Sequence, residues 1–182
     1  MNFCSECGAP TLWQVPADDN RPRHICSACH TIHYENPKII CGCLVTFEDQ
    51  VLLCRRAIEP RHGLWTLPAG FMENGETAAE GALRETWEEA LARPTLAGLY
   101  ALTSIPHISQ VYMIFRATLA TPDHAPGPES LETQLFKADD IPWDELAFQT
   151  VRKTLKHWVD DQSRGHYSLH EMDIAESERA RA

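Results

Sequence analysis

Three glutamates, Glu85, Glu88 and Glu89, stand at i, i+3 and i+4. On a helix those offsets put all three on one face. Like charges so placed repel each other and weaken an isolated helix. A divalent cation turns the repulsion into ligation, and Mg²⁺ favours a few carboxylates completed by water and substrate phosphate. A solvated acidic face is the alternative reading of these three residues alone. Gly81, one turn earlier, keeps that face open. A second group of chemical residues lies at the other end of the chain. Cys4 and Cys7 form one C-x-x-C pair and Cys26 and Cys29 another, with residues 8–25 between them. This is the spacing of a zinc site, in which two short knuckles complete a tetrahedron of thiolates. Four free cysteines in a reducing compartment are the plain alternative. His24, His30 and His33 lie close by, but four thiolates already close a structural site.

The glutamates need a helix to carry them. Thr77 and Glu80 make an S/T-x-x-E capping box. Ala79, Ala82, Leu83, Thr86, Trp87 and Ala90 follow at helical spacing, and Pro94 stops the run. The spacing therefore predicts a helix over 77–92. Ile39 to Phe47, a turn at 48–50, and Val51 to Cys54 read as a buried β-hairpin closed by Arg55 and Arg56. Leu64 to Leu67 reads as a short strand that Pro68, Ala69 and Gly70 stop. Residues 96–102, 110–119 and 131–138 read as further strands, and 121–130 as a loop. A helix is expected over 149–160, with Val151, Leu155, Trp158 and Val159 as its apolar stripe. The domain boundaries expected are 1–34 for a metal-dependent small unit, 38–161 for the main domain and 162–182 for a polar tail, disordered in part.

The chain has 182 residues, 43% hydrophobic and 23% charged, with a formal net charge of −10. This is the mix of a globular protein with one ordinary domain and a small second one. No apolar run is long enough for a transmembrane helix, and the N-terminus lacks the features of a signal peptide. No run of Lys and Arg exceeds two residues, and only Arg21 and Arg23 precede Lys38, so nucleic acid is a disfavoured partner. Seven cysteines, four of them in zinc spacing, fit a reducing, cytoplasmic setting.

The stretch Gly70 to Ala92, GFMENGETAAEGALRETWEEALA, resembles the Nudix box, G-x5-E-x7-R-E-U-x-E-E-x-G-U. Gly70, Glu76, Arg84, Glu85, Glu88 and Glu89 match in register. Thr86 departs at the first apolar position and Leu91 at the second glycine. Thr86 faces the packed side of the helix, whereas Leu91 puts the turn before Pro94 in question. The resemblance implies a Nudix α/β/α sandwich on a mixed β-sheet, here joined to a small N-terminal zinc ribbon. It implies that Glu85, Glu88 and Glu89 hold Mg²⁺ or Mn²⁺, with the Gly70 carbonyl as a further metal contact. Arg84 would orient a glutamate, and Glu76 would be structural. The implied chemistry is attack of a metal-activated water on a diphosphate.

The segments LLCRRAIEPRHGLWTLPAGF and APGPESLETQLF resemble the zinc-ribbon Nudix branch that includes plant FAD pyrophosphohydrolases. That likeness implies a nucleotide substrate, FAD or ADP-ribose, with release of AMP. The S-Q-P-W-P-F-P-x-S signature of the zinc-ribbon NADH pyrophosphatases is absent. Pro106, fourteen residues past Ala92, resembles a proline of ADP-ribose hydrolases. In those enzymes a loop glutamate assists, which points to Glu132 and then Glu129; Glu89 is the other candidate base. Arg55 and Arg56 are candidates to grip the diphosphate, since arginine offers planar bidentate donors. Trp65, Phe71 and Tyr112 could stack on a ring but fit the core as well. Cys41, Cys43 and Cys54 read as small core residues and His107 as a loop histidine. Many Nudix enzymes are dimers, so a homodimer stays open. The competing reading is a non-catalytic nucleotide sensor whose ribbon binds a partner or nucleic acid. A house-cleaning triphosphatase would keep the chemistry and change the substrate.

Overall fold

A computed structural model describes residues 1–176, and the last part of the expected tail, 177–182, lies outside the described residues. The chain divides into two compact units, Met1–Asn36 and Pro37–Ala182. In the first, β1 (Thr11–Gln14), β2 (Arg23–Cys26) and β3 (Ile32–His33) form an antiparallel sheet. Thr11 is opposite Cys26 and His24 is opposite His33. Apolar periodicity did not reveal these strands, because little of the unit is buried. Ile25 is its one buried hydrophobic besides Cys4 and Cys26.

The second unit is built on a mixed sheet of β4 (Lys38–Phe47), β5 (Gln50–Arg56), β6 (Trp65–Thr66), β7 (Ala69–Phe71), β8 (Thr95–Ile105), β9 (Gln110–Thr118), β10 (Ser130–Lys137) and β11 (His170–Asp173). The main order is β10-β5-β4-β9-β8-β11, with β6 on β5 and β7 on β4. β4 runs parallel to β9, and β11 runs parallel to β8, while β8 and β9 are antiparallel. Helices α1 (Ala78–Ala90) and α2 (Gln149–Arg164) cover opposite faces. Leu44 packs with Val151, Leu155 and Trp158 of α2, while its neighbours Cys43 and Val45 pack with Ala82 and Ala90 of α1. Successive side chains of a strand point to opposite faces. A strand covered on both sides is therefore apolar throughout, which explains the unbroken run of β4. Cys41, Cys43 and Cys54 are fully buried, as small core residues.

Two departures from the expected elements matter for the site. First, β4 and β5 do not form a fully paired hairpin. They pair only at Thr46–Val51 and Phe47–Gln50, then separate. Beyond that point β7 takes the place beside β4 and β6 the place beside β5. Gly42 allows this, since a Cβ there would lie 2.3 Å from the Pro68 carbonyl oxygen and the Ala69 side chain. Residues 69–71 thus form a strand where their Pro and Gly content suggested only a stop. Second, residues 162–173 do not run on as a tail. α2 continues to Arg164, ends at Gly165 in the left-handed conformation, and the chain returns as edge strand β11. His170 of that strand hydrogen-bonds the buried Asp161 at 2.7 Å, which draws a polar segment onto the sheet. Among the described residues no helix is long and apolar enough to cross a membrane.

Candidate active site

In the first unit the sulfurs of Cys4, Cys7, Cys26 and Cys29 all lie within 4.8 Å of one another. Three of the S–S separations are 3.7, 3.4 and 3.5 Å. Zn–S bonds of about 2.3 Å in a tetrahedron require edges of about 3.8 Å, so the cluster has the size of a zinc tetrathiolate. Backbone amides of Glu6, Ala28 and Cys29 point at the sulfurs of Cys4 and Cys26, as a knuckle does. His33 Nε2 lies 3.3 Å from Cys4 Sγ, outside the four-sulfur set.

In the second unit α1 starts as its sequence dictates. The Thr77 hydroxyl accepts the Glu80 N–H, and the Glu80 carboxylate accepts the Thr77 N–H. Thr86 is fully buried and its hydroxyl donates to the Ala82 carbonyl at 2.7 Å. At the far end Leu91 takes the left-handed conformation with φ 47° and caps the helix by donating to the Trp87 carbonyl. It adopts the backbone state that the box's glycine would adopt easily, at a cost of about 1–2 kcal/mol. Gly81 does not face open space. A Cβ there would lie 2.5 Å from Cys41 Sγ and 2.6 Å from Glu76 Oε1, so the glycine lets helix and strand close around Glu76.

Arg84 gathers the acidic residues. Its Nε and Nη2 grip the two carboxylate oxygens of Glu76 at 3.0 and 2.9 Å. Its Nη1 donates to Glu85 at 2.7 Å and to Glu88 at 2.9 Å, and Nη2 also reaches the Phe71 carbonyl. The Arg84 guanidinium holds the Glu76 carboxyl down at about 2, aided by the Glu73 N–H. Glu89 sits deeper, with 6% of its surface exposed. Its Oε2 accepts the Ala69 N–H of β7 at 3.1 Å. Burial pushes its carboxyl up to about 8, with the charges of Glu85 and Glu129 adding and the Ala69 N–H and Arg56 opposing. Burial likewise raises Glu85, and Glu88 and Glu129 add to the effect. Gly70 is required by the approach of Glu85, whose carboxylate would lie 2.4 Å from a Cβ at that position.

The loop after β9 carries the next acid. Ala125 and Gly127 donate N–H bonds to the terminal α1 carbonyls of Ala90 and Glu89, at 2.9 and 3.1 Å. A Cβ on Gly127 would overlap the Glu88 carbonyl oxygen at 1.7 Å. This close seat sets Glu129 on a cavity of about 790 Å³ that Glu85, Glu88, Glu89, Gly70 and Arg84 also line.

The expected partners separate cleanly. Glu129 and Arg56 line the cavity, whereas Glu132 and Arg55 do not. Adjacent residues of a strand point to opposite faces, so Arg55 turns away. It donates to the Gly63 carbonyl at 2.9 Å and pairs with Glu132 at 3.7 Å. Arg56 donates to the Pro60 carbonyl and lies over the Phe148 ring. Phe71 and Tyr112 line the cavity, while Trp65 is buried edge-on against Phe136 in the core. His107 is more than a loop histidine, because it lines the cavity with its Nδ1 buried. Arg61, Phe148, Thr150 and Thr154 also line it and were not foreseen. The two threonines had a visible signal, as polar residues within the apolar stripe of α2.

A mixed sheet between two helices, a glutamate-bearing helix docked on β7 and an N-terminal four-cysteine knuckle define a class, and comparison with known proteins agrees. The NUDIX domain family matches residues 37–160, and the zinc-ribbon family described as Nudix N-terminal matches residues 2–35. The chain belongs to the Nudix family, in its zinc-ribbon form. A solved NUDIX hydrolase from Nitrosomonas europaea is 52% identical, with a TM-score of 0.92 over 96% of this chain and 99% of that one. The NAD-capped RNA hydrolase NudC of Edwardsiella ictaluri (strain 93-146) is 31% identical over 77% of this chain and 53% of its own length. An ADP-ribose pyrophosphatase of Methanocaldococcus jannaschii is 26% identical over 69% of this chain and 76% of its own length. The chain thus spans about half the length of the NudC protein it matches.

Proposed function

We propose that this protein is a divalent-metal-dependent pyrophosphohydrolase that splits the diphosphate of an AMP-bearing nucleotide, with ADP-ribose and FAD as the leading substrates. One observation carries the reading: Glu85, Glu88, Glu89 and Glu129 converge on one cavity whose lining also holds Arg56. Four carboxylates crowded together are a site for hard cations, and an anionic diphosphate needs those cations to enter. Glu85, Glu88 and Glu89 with the Gly70 carbonyl would hold Mg²⁺ or Mn²⁺, which polarises a phosphoryl oxygen and makes a bound water acidic. Arg84 keeps Glu85 and Glu88 aligned through its grip on Glu76. Arg56 donates to phosphoryl oxygens. Glu89 or Glu129 takes the proton of the attacking water. The water oxygen bonds to phosphorus, the bridging P–O bond breaks, and AMP leaves with the remaining phosphate ester. Zinc in the four-cysteine ribbon is structural, and its thiolates suit a reducing, cytoplasmic compartment.

The ADP-ribose pyrophosphatase relative supports the first substrate. The NudC relatives favour a second reading, NAD or an NAD-capped RNA end, at the same site. The test is AMP release from ADP-ribose, FAD, NADH and ATP, and release of nicotinamide mononucleotide from NAD-capped RNA, each with Mg²⁺ or Mn²⁺. A preference for ADP-ribose or FAD upholds the proposal, and a preference for NADH or the capped RNA moves the assignment to the second reading. A preference for triphosphates makes it a house-cleaning enzyme. No turnover of any of them, with metal bound, leaves the nucleotide-sensor reading.

A further inference from the structure

The NUDIX match ends at residue 160, yet the chain beyond it returns to the substrate cavity. α2 ends at Gly165, and β11 runs back along the sheet edge, parallel to β8. His170 lies opposite Ala101, Met172 opposite Thr103 and Asp173 opposite Ser104. The next residue, Ile174, donates its N–H to the Ser104 carbonyl at 3.0 Å, which sets it beside Ile105. Side chains two apart on a strand share a face. His170, Met172 and Ile174 therefore all turn toward α2. His170 meets Asp161 near the end of that helix, and Met172 packs on the core that the helix covers. Ile174 is buried and lines the cavity together with Ile105 and with Val151 from the first half of α2.

A four-residue edge strand on a single ladder is weakly held by itself. Side chains fasten this one. The buried Asp161 carboxylate accepts the Tyr100 hydroxyl at 2.9 Å and lies 2.7 Å from His170 Nε2. The His170 ring packs edge-on against Tyr100 and stacks on His157 with centroids 4.0 Å apart. Farther along, the Lys153 ammonium donates to the Asp173 carbonyl at 2.9 Å. A buried carboxylate that loses one of its partners is destabilising, so the His170 contact resists release of the strand. We infer that residues 165–174 form a latched strap that completes the substrate cavity. His170 on Asp161 positions the strap, and Ile174 is a specificity-determining wall for the nucleotide substrate. An aliphatic wall works by contact and exclusion of water, so it acts on substrate affinity and not on the chemical step. The inference rests on the proposed nucleotide substrate, but not on its hydrolysis.

Steady-state kinetics and hydrogen exchange on the full chain test it, in the wild type and in Ile174→Ala, Ile174→Val, His170→Phe and Val159→Ala. Val159 packs on the same core but does not line the cavity, so it controls for a general loss of packing. Ile174→Ala should raise KM for the best substrate by about fivefold or more and leave kcat within about twofold. Ile174→Val, shorter by one methylene, should raise it by less than about threefold, and Val159→Ala should leave it unchanged. His170→Phe keeps an aromatic ring but loses the bond to Asp161. The amides of residues 170–174 should then exchange at least about tenfold faster, with KM rising as in Ile174→Ala. A KM unmoved by Ile174→Ala, or moved as far by Val159→Ala, would overturn the wall. Unchanged exchange in His170→Phe would overturn the latch. Where no nucleotide is hydrolysed, the calorimetric Kd for ADP-ribose with Mg²⁺ takes the place of KM. The same pattern in Kd would sink the proposed function and leave the strap standing, whereas hydrolysis with a KM indifferent to residue 174 would do the reverse. A protein that neither hydrolyses nor binds any nucleotide of the panel would sink both.

Discussion

Arg84 holds Glu76 by a two-pronged grip, Nε to Oε2 at 3.0 Å and Nη2 to Oε1 at 2.9 Å, and the same guanidinium reaches Glu85 and Glu88. Lysine keeps the charge but cannot make the fork. Arg84→Lys should lower kcat/KM by about tenfold or more while the melting temperature falls little, because the grip positions carboxylates rather than filling the core. Steady-state kinetics beside thermal melting will check this. An unchanged kcat/KM would remove Arg84 from the positioning role.

Glu129 and Glu132 make a sharp comparison, since only Glu129 faces the cavity. Glu129→Gln should cost about 10- to 100-fold in kcat, and Glu132→Gln less than about threefold. The reverse order would return the loop role to Glu132.

Two glycines should fail in different ways. A Cβ at Gly127 meets the Glu88 backbone carbonyl, which cannot yield without moving the helix end. Gly127→Ala should destabilise by about 1–3 kcal/mol and also lower activity. A Cβ at Gly70 meets the Glu85 side chain, which can swing aside. Gly70→Ala should therefore raise the metal concentration needed for activity with a smaller loss of stability. Denaturant titrations and magnesium activation curves separate the two.

The ribbon has so few buried hydrophobics that the metal must organise it. Elemental analysis should find one zinc per chain. Cys26→Ser should abolish zinc binding and make residues 1–36 readily cut by protease. Retained zinc in that variant would contradict a four-sulfur site.

Burial pushes the Asp161 carboxyl up, but hydrogen bonds from His170 and Tyr100 outweigh it and hold the group below its ordinary value. A lowered carboxyl contributes stability above its unfolded pKa, and that contribution fades as pH falls through the folded value. Asp161→Asn should thus be less stable than the wild type near neutral pH. The gap should narrow as pH drops below about 3.8. A constant gap in melting temperature across that range would refute the assignment.

The parts legible in the sequence were those with strict local spacing. The capping box at Thr77 and Glu80, the glutamate ladder and the paired cysteines each depend on neighbours a few residues away. What the sequence hid depends on distant contacts. β7 exists because Gly42 lets Ala69 close on β4, and β11 exists because Asp161 and Tyr100 receive His170. Arg55 and Arg56 looked alike as a dipeptide. The strand's alternation and the Glu132 partner, from a strand far along the chain, decided which one faces the cavity. Thr150 and Thr154 stand one residue before Val151 and Leu155 of the α2 stripe, and only the assembled cavity shows that they line it.

The most direct test of the central claim is metal-dependent AMP release from ADP-ribose by wild-type protein and Glu89→Gln, with equal folding confirmed by melting. Turnover that requires Mg²⁺ or Mn²⁺ and falls by about 10²-fold or more in the variant is the predicted result. Turnover without divalent metal, or a Glu89→Gln protein as active as the wild type, would contradict the assignment of this cavity as the hydrolytic site.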